Sequence, residues 1–266
     1  MSSNGRDIAA LILAGQRSGE ASPLAGIDGV EHKALLSAGG RTLIARVADA
    51  LLGVGEIASI RIAAPVEFRA RLAEGLAGRD RWSFSGAAGS PAATILEALG
   101  EPWARRGLLV TTCDHALLTP DIVRAFLEGA RGAKAAAACV EQSVYQARFP
   151  GSRRTFVKLR DFSFSGANLF WFCGPEAQEL AAFWRRLEEK RKRPLAMALE
   201  IGLGTALLYA AGAVSKAALE RLIRRRTGVE ARLVSLPMAE AAIDVDKPED
   251  LILVRKLIAE AETRPA

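Results

Sequence analysis

A chain of 266 residues is long for one core and short for two, which predicts a single α/β domain carrying an insertion. Half the residues are hydrophobic and a quarter are charged, so wholesale disorder and collagen-like repeats are excluded. The net charge of +6 is unevenly spread: residues 185–226 hold eleven basic and four acidic residues, a local +7, and the rest sums to −1, which argues against a nucleic-acid binder.

The first 140 residues read as alternating strand and helix. Apolar runs at Ile8–Leu13, Ile57–Ala63, Gly107–Thr112 and Ala133–Val140 read as strands. Helical patterns lie between them at Leu43–Leu52, Glu67–Leu76, Pro91–Leu99 and Pro120–Gly129. Continuous apolar strands separated by helices predict a mainly parallel, Rossmann-like sheet with helices on both faces, and ligands in such sheets bind at the carboxyl ends of the strands. Residues 141–154 read as a polar loop carrying Arg148, Arg153 and Arg154, and Thr155–Leu159 and Asn168–Phe172 as strands flanking Asp161–Gly166. A helical insertion is expected near residues 175–228, then a strand at Ala231–Leu236, a loop through Asp244 and Asp246, and a helix from Pro248 to Glu260. No internal repeat is present.

Cys113, Cys139 and Cys173 are odd in number and form no CxxC, so neither a disulfide framework nor a cysteine zinc site is available. With an apolar run at residues 8–14 too short for a signal segment, a reducing cytoplasm is the expected compartment.

Three segments carry chemistry. The first strand runs into Leu13-Ala14-Gly15-Gln16-Arg17, with Lys33 following in His32-Lys33-Ala34-Leu35-Leu36. A small-residue turn lets backbone N–H groups approach phosphate oxygens, and Arg17 and Lys33 add the charge a triphosphate needs; read alone, the segment is equally a plain turn. Neither GxxxxGK[ST] nor GxGxxG is present. Asp114, in Thr111-Thr112-Cys113-Asp114-His115, follows an apolar strand end, where its carboxylate is expected on the surface of the ligand crevice; the alternative is a turn cap. His115 reads as a loop or supporting residue rather than a zinc ligand. In Ala242-Ile243-Asp244-Val245-Asp246-Lys247-Pro248, Asp246 can cap the final helix. Strand-like alternation would point Asp244 and Asp246 to one side, suited to sharing a metal with Asp114.

LILAGQR at 11–17, HKALL at 32–36, TTCDHALLTP at 111–120, SGANLF at 165–170 and AIDVDKPEDL at 242–251 occur in the order and spacing of the MobA-like nucleotidyltransferases. The chain resembles that family over residues 7–173 and 230–262. The resemblance implies the nucleotide-diphospho-sugar transferase fold and a nucleotidyltransferase using CTP, somewhat ahead of GTP, with Mg²⁺ and a phosphorylated small-molecule acceptor. It further implies that Leu13, Ala14, Gly15, Gln16 and Arg17 wrap the triphosphate, that Lys33 contacts it, and that Asp114 holds Mg²⁺ with Asp246 or Asp244. Ser90, Pro91 and Thr94 stand where relatives hold base and ribose, and Gly166 and Asn168 where they hold the acceptor. The chain departs from the pattern at Gln16, where a second glycine is usual, and over Gly19–Glu31, which is longer and lacks the usual arginine-methionine pair. The main rival is a glycosyltransferase of the same fold, since Asp244-Val245-Asp246 is formally a DxD; Lys33 in the first loop favours the triphosphate.

Within the insertion, Leu195–Val214 is a twenty-residue apolar stretch with one charge, Glu200, flanked by basic residues. Glu200 and three glycines make it a poor membrane span, and it is expected as a buried helix hairpin. The alternative is peripheral contact of residues 185–226 with the inner face of a membrane.

Overall fold

The computed structural model of the chain describes residues 7–15, 23, 24, 26–152, 154–190 and 192–263. Four parallel strands form the heart of the sheet: β1 (Ile8–Leu13), β4 (Ile57–Ala64), β5 (Trp82–Gly86) and β6 (Leu108–Thr112). The two-residue strands β2 (Ser37–Ala38) and β3 (Arg41–Thr42) make a separate antiparallel hairpin. The far half adds β7 (Ala135–Glu141), β8 (Val157–Lys158), β9 (Ser163–Phe172) and β10 (Ala231–Ser235). Strand order is β10-β7-β9-β6-β1-β4-β5, with β8 on β9. β9 runs antiparallel between β6 and β7, so the sheet is mixed and mostly parallel, as expected.

Alternation along β1 sorts its side chains to two cores. Ala10 and Ile12 join the one packed by α1 (Leu43–Leu52), α2 (Arg69–Gly75), α4 (Pro120–Ala130) and α10 (Pro248–Glu262). Ala9, Leu11 and Leu13 join the other, packed by α3 (Pro91–Gly100) and α6 (Ala177–Glu189). Each fully buried Leu or Ile contributes roughly 1.5–3 kcal/mol, which fixes the strand register. Helix starts follow the sequence because Ser90 and Thr119 accept from Ala93 N–H and Ile122 N–H, with Pro91 and Pro120 in the first turn.

Gly107, ahead of β6, has φ of 150°, and a Cβ there would lie 2.2 Å from the Trp171 ring. Gly107→Ala is therefore expected to cost about 1–3 kcal/mol by overpacking, read as a lower melting temperature.

The structure corrects four sequence expectations. β5 was not expected, although Trp82 and Phe84 alternate with Ser83 and Ser85 as an edge strand does. The segment read as a polar loop over 141–154 holds α5 (Gln142–Arg148), anchored by buried Tyr145, whose ring lies 5.2 Å from that of Phe149. Asp161–Gly166 does not separate two comparable strands: β9 is continuous from Ser163, and β8 is two residues long.

The fourth correction concerns the insertion, which comprises α6, α7 (Pro194–Ile201), α8 (Leu203–Ala210) and α9 (Lys216–Thr227). α6 packs on α3, and α9 on α6 and β10. α7 and α8 are not a buried hairpin: Leu195, Leu199, Leu207, Leu208 and Tyr209 are all exposed. No helix among the described residues is long and apolar enough to cross a membrane.

Candidate functional site

The site is built where β1 and β6 end side by side. Cys113 N–H donates to the Leu13 carbonyl at 3.0 Å, extending the pairing one residue past β6 and placing Asp114 beside the β1 loop. Val245 N–H donates to the Asp114 carbonyl at 3.1 Å, which holds the loop before α10 against the same point. Lys33 enters from the short turn Lys33–Leu35. Its Nζ donates to Asp114 Oδ2, and to Asp246 Oδ1 at 3.2 Å. Asp114 also accepts from the Thr112 hydroxyl.

Asp114 is 4 % exposed, so the expectation of a carboxylate on the crevice surface is corrected: its partners, not water, compensate its charge. Burial works against the Lys33 ammonium, but the carboxylates of Asp114 and Asp246 outweigh it and raise the pKa, so Lys33 stays charged. One lysine against two aspartates leaves the trio at −1. Burial pushes the Cys113 thiol up to about 12, so this neighbouring cysteine is no nucleophile. His115 is buried with its Nδ1 3.3 Å from the Thr111 hydroxyl, and burial lowers its pKa to about 4.

His32 joins the two halves of the first loop, a role the sequence reading missed. Its Nδ1 accepts from Ala34 N–H at 3.1 Å, which leaves Nε2 to donate to the Ala14 carbonyl at 2.9 Å. The ring is buried against Phe68 at 4.7 Å, and burial lowers its pKa, keeping it neutral at pH 7. The only sequence signal was its place beside Lys33. His32→Ala leaves a buried N–H and carbonyl without this partner, a loss of about 1–3 kcal/mol, and is expected to slow turnover more than His32→Gln, which keeps a donor. With a folded pKa below the unfolded value, this group's stabilisation is full above the ordinary imidazole range and declines as pH falls through it. Denaturant titrations at pH 7 and pH 5 check this, and the acid loss should shrink in His32→Gln.

Asp244 and Asp246 divide their roles. Asp246 leaves capping of α10 to Asp250, whose Oδ2 accepts from Asp246 N–H at 3.1 Å and Lys247 N–H at 2.9 Å. The Asp246 side chain, 59 % exposed, is thereby left to Lys33. Asp244 instead accepts from Asn168 Nδ2 at 3.1 Å and from the Arg154 guanidinium at 3.3 Å. Burial raises the Asp244 pKa, with Arg154 opposing. The stretch is loop, not strand, with Val245 buried between the two aspartates.

Asn168 sits at φ of 40° where the β7–β9 register shifts between Ala137 and Cys139, a bulge that re-aims its side chain. Gly166 is exposed on the same strand. Arg154, which composition could not distinguish from other loop arginines, donates to the Ser165 hydroxyl at 2.6 Å and lies 5.5 Å from the Tyr145 ring centre.

On the β1 side, Leu13 and Ala14 are buried, and Ala14 N–H donates to the Ala63 carbonyl at 2.8 Å. Gly15, the next residue, is exposed, and its Cβ position lies 3.7 Å from Ala87 in the loop after β5. In that loop Ser90 caps α3, Pro91 opens the helix, and the Thr94 hydroxyl accepts from Ala88 N–H at 3.0 Å. Gln16 and Arg17 lie outside the described residues. A separate cleft of about 750 Å³, lined by Arg131, Lys134 and Trp171, lies near Ile8 at the amino end of β1, away from Lys33.

Three loops converging on the carboxyl ends of a mostly parallel sheet define a protein of the nucleotide-diphospho-sugar transferase fold. The chain belongs to the family of the MobA-like NTP transferase domain, whose model matches residues 10–232. It is 31 % identical to a hypothetical transferase from Thermus thermophilus, with a TM-score of 0.75 over 91 % of this chain and 98 % of that one. It also shares its fold with 4-diphosphocytidyl-2C-methyl-D-erythritol synthase from Anaerococcus prevotii (14 % identity, TM-score 0.60, 96 % and 99 % covered). CMP:2-keto-3-deoxy-manno-octonic acid synthetase, solved with CTP, is similar in the same way (16 % identity, TM-score 0.61, 96 % and 99 % covered). No curated protein matches in sequence.

Proposed function

We propose that the protein is a Mg²⁺-dependent nucleotidyltransferase that moves a nucleoside monophosphate from CTP or GTP to a phosphorylated small molecule, releasing pyrophosphate. The observation that carries this reading is Lys33 held between Asp114 and Asp246 at the ends of β1 and β6. Two hard carboxylates around one point, in a trio with a net −1, suit Mg²⁺, which takes one or two carboxylates and completes its shell with phosphate oxygens and water. Asp114 and Asp246 would hold it, whereas Asp244 is engaged by Arg154 and Asn168. When bound, the ion would neutralise charge on the triphosphate.

An ionised oxygen of the acceptor phosphate attacks the α-phosphorus, the bond to the bridging oxygen breaks, and pyrophosphate leaves with the electron pair. The acceptor is already an anion, so the chain need supply no base. Lys33, kept charged, binds the triphosphate and offsets the charge that builds up on the leaving group. Exposed Gly15 approaches the phosphates by its backbone N–H, and Arg17, two residues on in sequence, adds charge. Ser90, Pro91 and Thr94 hold the loop that borders the base and ribose. Gly166, Asn168 and Arg154 line the acceptor side, where the guanidinium meets the acceptor phosphate.

The DxD reading loses support, because the side chains of Asp244 and Asp246 engage different partners instead of one point. A thermal-shift series tests the donor class. CTP or GTP with Mg²⁺ should raise the melting temperature, CTP the more, and Lys33→Met should abolish the shift. Stabilisation by nucleoside-diphosphate sugars alone would overturn the reading.

A further inference from the structure

We propose that α7, α8 and the arginines of α9 form an attachment surface for anionic lipid, independent of the transferase reading. Five of the eight exposed large hydrophobic side chains among the described residues lie on two consecutive eight-residue helices: Leu195 (79 %), Leu199, Leu207 (71 %), Leu208 and Tyr209. The one charge in this stretch does not interrupt it, since Glu200 is paired with Arg186 at 2.8 Å and with Lys190.

The other three acids of the segment are also engaged: Glu188 accepts from Ala92 N–H, Glu189 pairs with Arg185, and Glu220 accepts from Leu233 N–H. The basic residues Lys192, Arg193, Arg221, Arg224 and Arg225 are exposed. Arg226 lies at the α7–α8 bend, where a Cβ on Gly202 (φ 106°) would come within 2.4 Å of its guanidinium. Exposed leucines with Arg226 at their bend and further exposed basic residues in the same segment match the acyl boundary and phosphates of an anionic leaflet, with Tyr209 suited to the headgroup level.

Two observations favour lipid over a protein partner. Leu207, Leu208, Tyr209 and Ala210 are exposed in succession, and at about 100° per residue they cover most of the α8 circumference. A rigid partner covers one face of a helix, whereas acyl chains close around it. A second copy of the chain would set one +7 segment against another. Helices of eight residues are about 12 Å long and lie in the interface rather than crossing it.

The test is vesicle flotation of the full chain with phosphatidylcholine alone and with phosphatidylglycerol added. Flotation is expected with the anionic vesicles only, weakening as salt rises. Arg224→Gln with Arg225→Gln should lower the partition on the order of 25-fold, about fivefold for each charge. Leu199→Glu with Leu207→Glu should lower it at least about tenfold while leaving the melting temperature unchanged, since both leucines are exposed. Absence from anionic vesicles at low salt, or equal flotation with neutral ones, would overturn the proposal. So would light scattering that finds a dimer which Leu207→Glu dissolves, because a second copy would then cover the surface.

Discussion

Lys33→Met is expected to slow nucleotidyl transfer by about 10²- to 10³-fold, the loss typical when one fixed electrostatic stabiliser is removed. Lys33 joins Asp114 to Asp246, and methionine retains most of its aliphatic stem, so the packing of the Lys33–Leu35 turn survives. Removing the ammonium takes the trio from −1 to −2. Binding of Mg²⁺ alone should therefore tighten even as turnover collapses. Rate and metal affinity moving in opposite directions distinguishes loss of a phosphate contact from general damage to the site. Lys33→Arg should recover only part of the rate, because its planar fork does not place charge where a compact ammonium does. A wild-type rate in Lys33→Met would place the triphosphate elsewhere.

Asp114→Asn is expected to reduce the rate by about 10²-fold or more and to weaken Mg²⁺ binding. Asparagine fills the same volume and keeps one oxygen for the Thr112 hydroxyl, so no cavity forms, although its NH2 cannot accept from Lys33 and some stability is lost with the activity. Asp114→Ala is a different case. It leaves a cavity at the buried Asp114 position and deprives the half-buried Lys33 ammonium and the Thr112 hydroxyl of their acceptor, costing stability by about 1–3 kcal/mol in addition to activity. Asp246→Asn removes a side chain 59 % exposed and should lower metal affinity with little change in stability. Asp244→Asn acts on the other side, disturbing Arg154 and Asn168, and should raise the KM for the acceptor more than that for the nucleotide. Steady-state kinetics with denaturant unfolding of the same variants checks all four.

The strands of the first half were legible because both faces of the sheet are covered, which writes Ile8–Leu13 and Leu108–Thr112 as unbroken apolar runs. Helix starts at Pro91, Pro120 and Pro248 were legible because proline favours the first turn. β5 was hidden by length and by its place on the sheet edge, where Ser83 and Ser85 dilute the apolar signal. β9 was started five residues late, at Asn168 instead of Ser163, because Ser163, Ser165 and Gly166 look like turn residues, whereas the strand continues through a bulge at this point. In the site, Lys33, Asp114 and Asp246 could be named from the sequence, but which aspartate serves Lys33 could not. That depends on Asp250 relieving Asp246 of capping and on Arg154 reaching Asp244 across ninety residues of chain. His32 escaped for the same reason, since its two hydrogen bonds reach Ala34 nearby and Ala14 across the loop. The exposure of α7 and α8 reversed an expectation built on composition, which measures how apolar a segment is and not what covers it.

The most direct test of the central claim is phosphorus NMR of a reaction containing the protein, Mg²⁺, CTP or GTP and a panel of phosphorylated acceptors. Growth of pyrophosphate in step with a new diphosphate diester is the expected result, with both signals growing about 10²- to 10³-fold more slowly in Lys33→Met. Release of a nucleoside diphosphate from a sugar nucleotide, or no diphosphate diester with any donor and acceptor, would contradict the account.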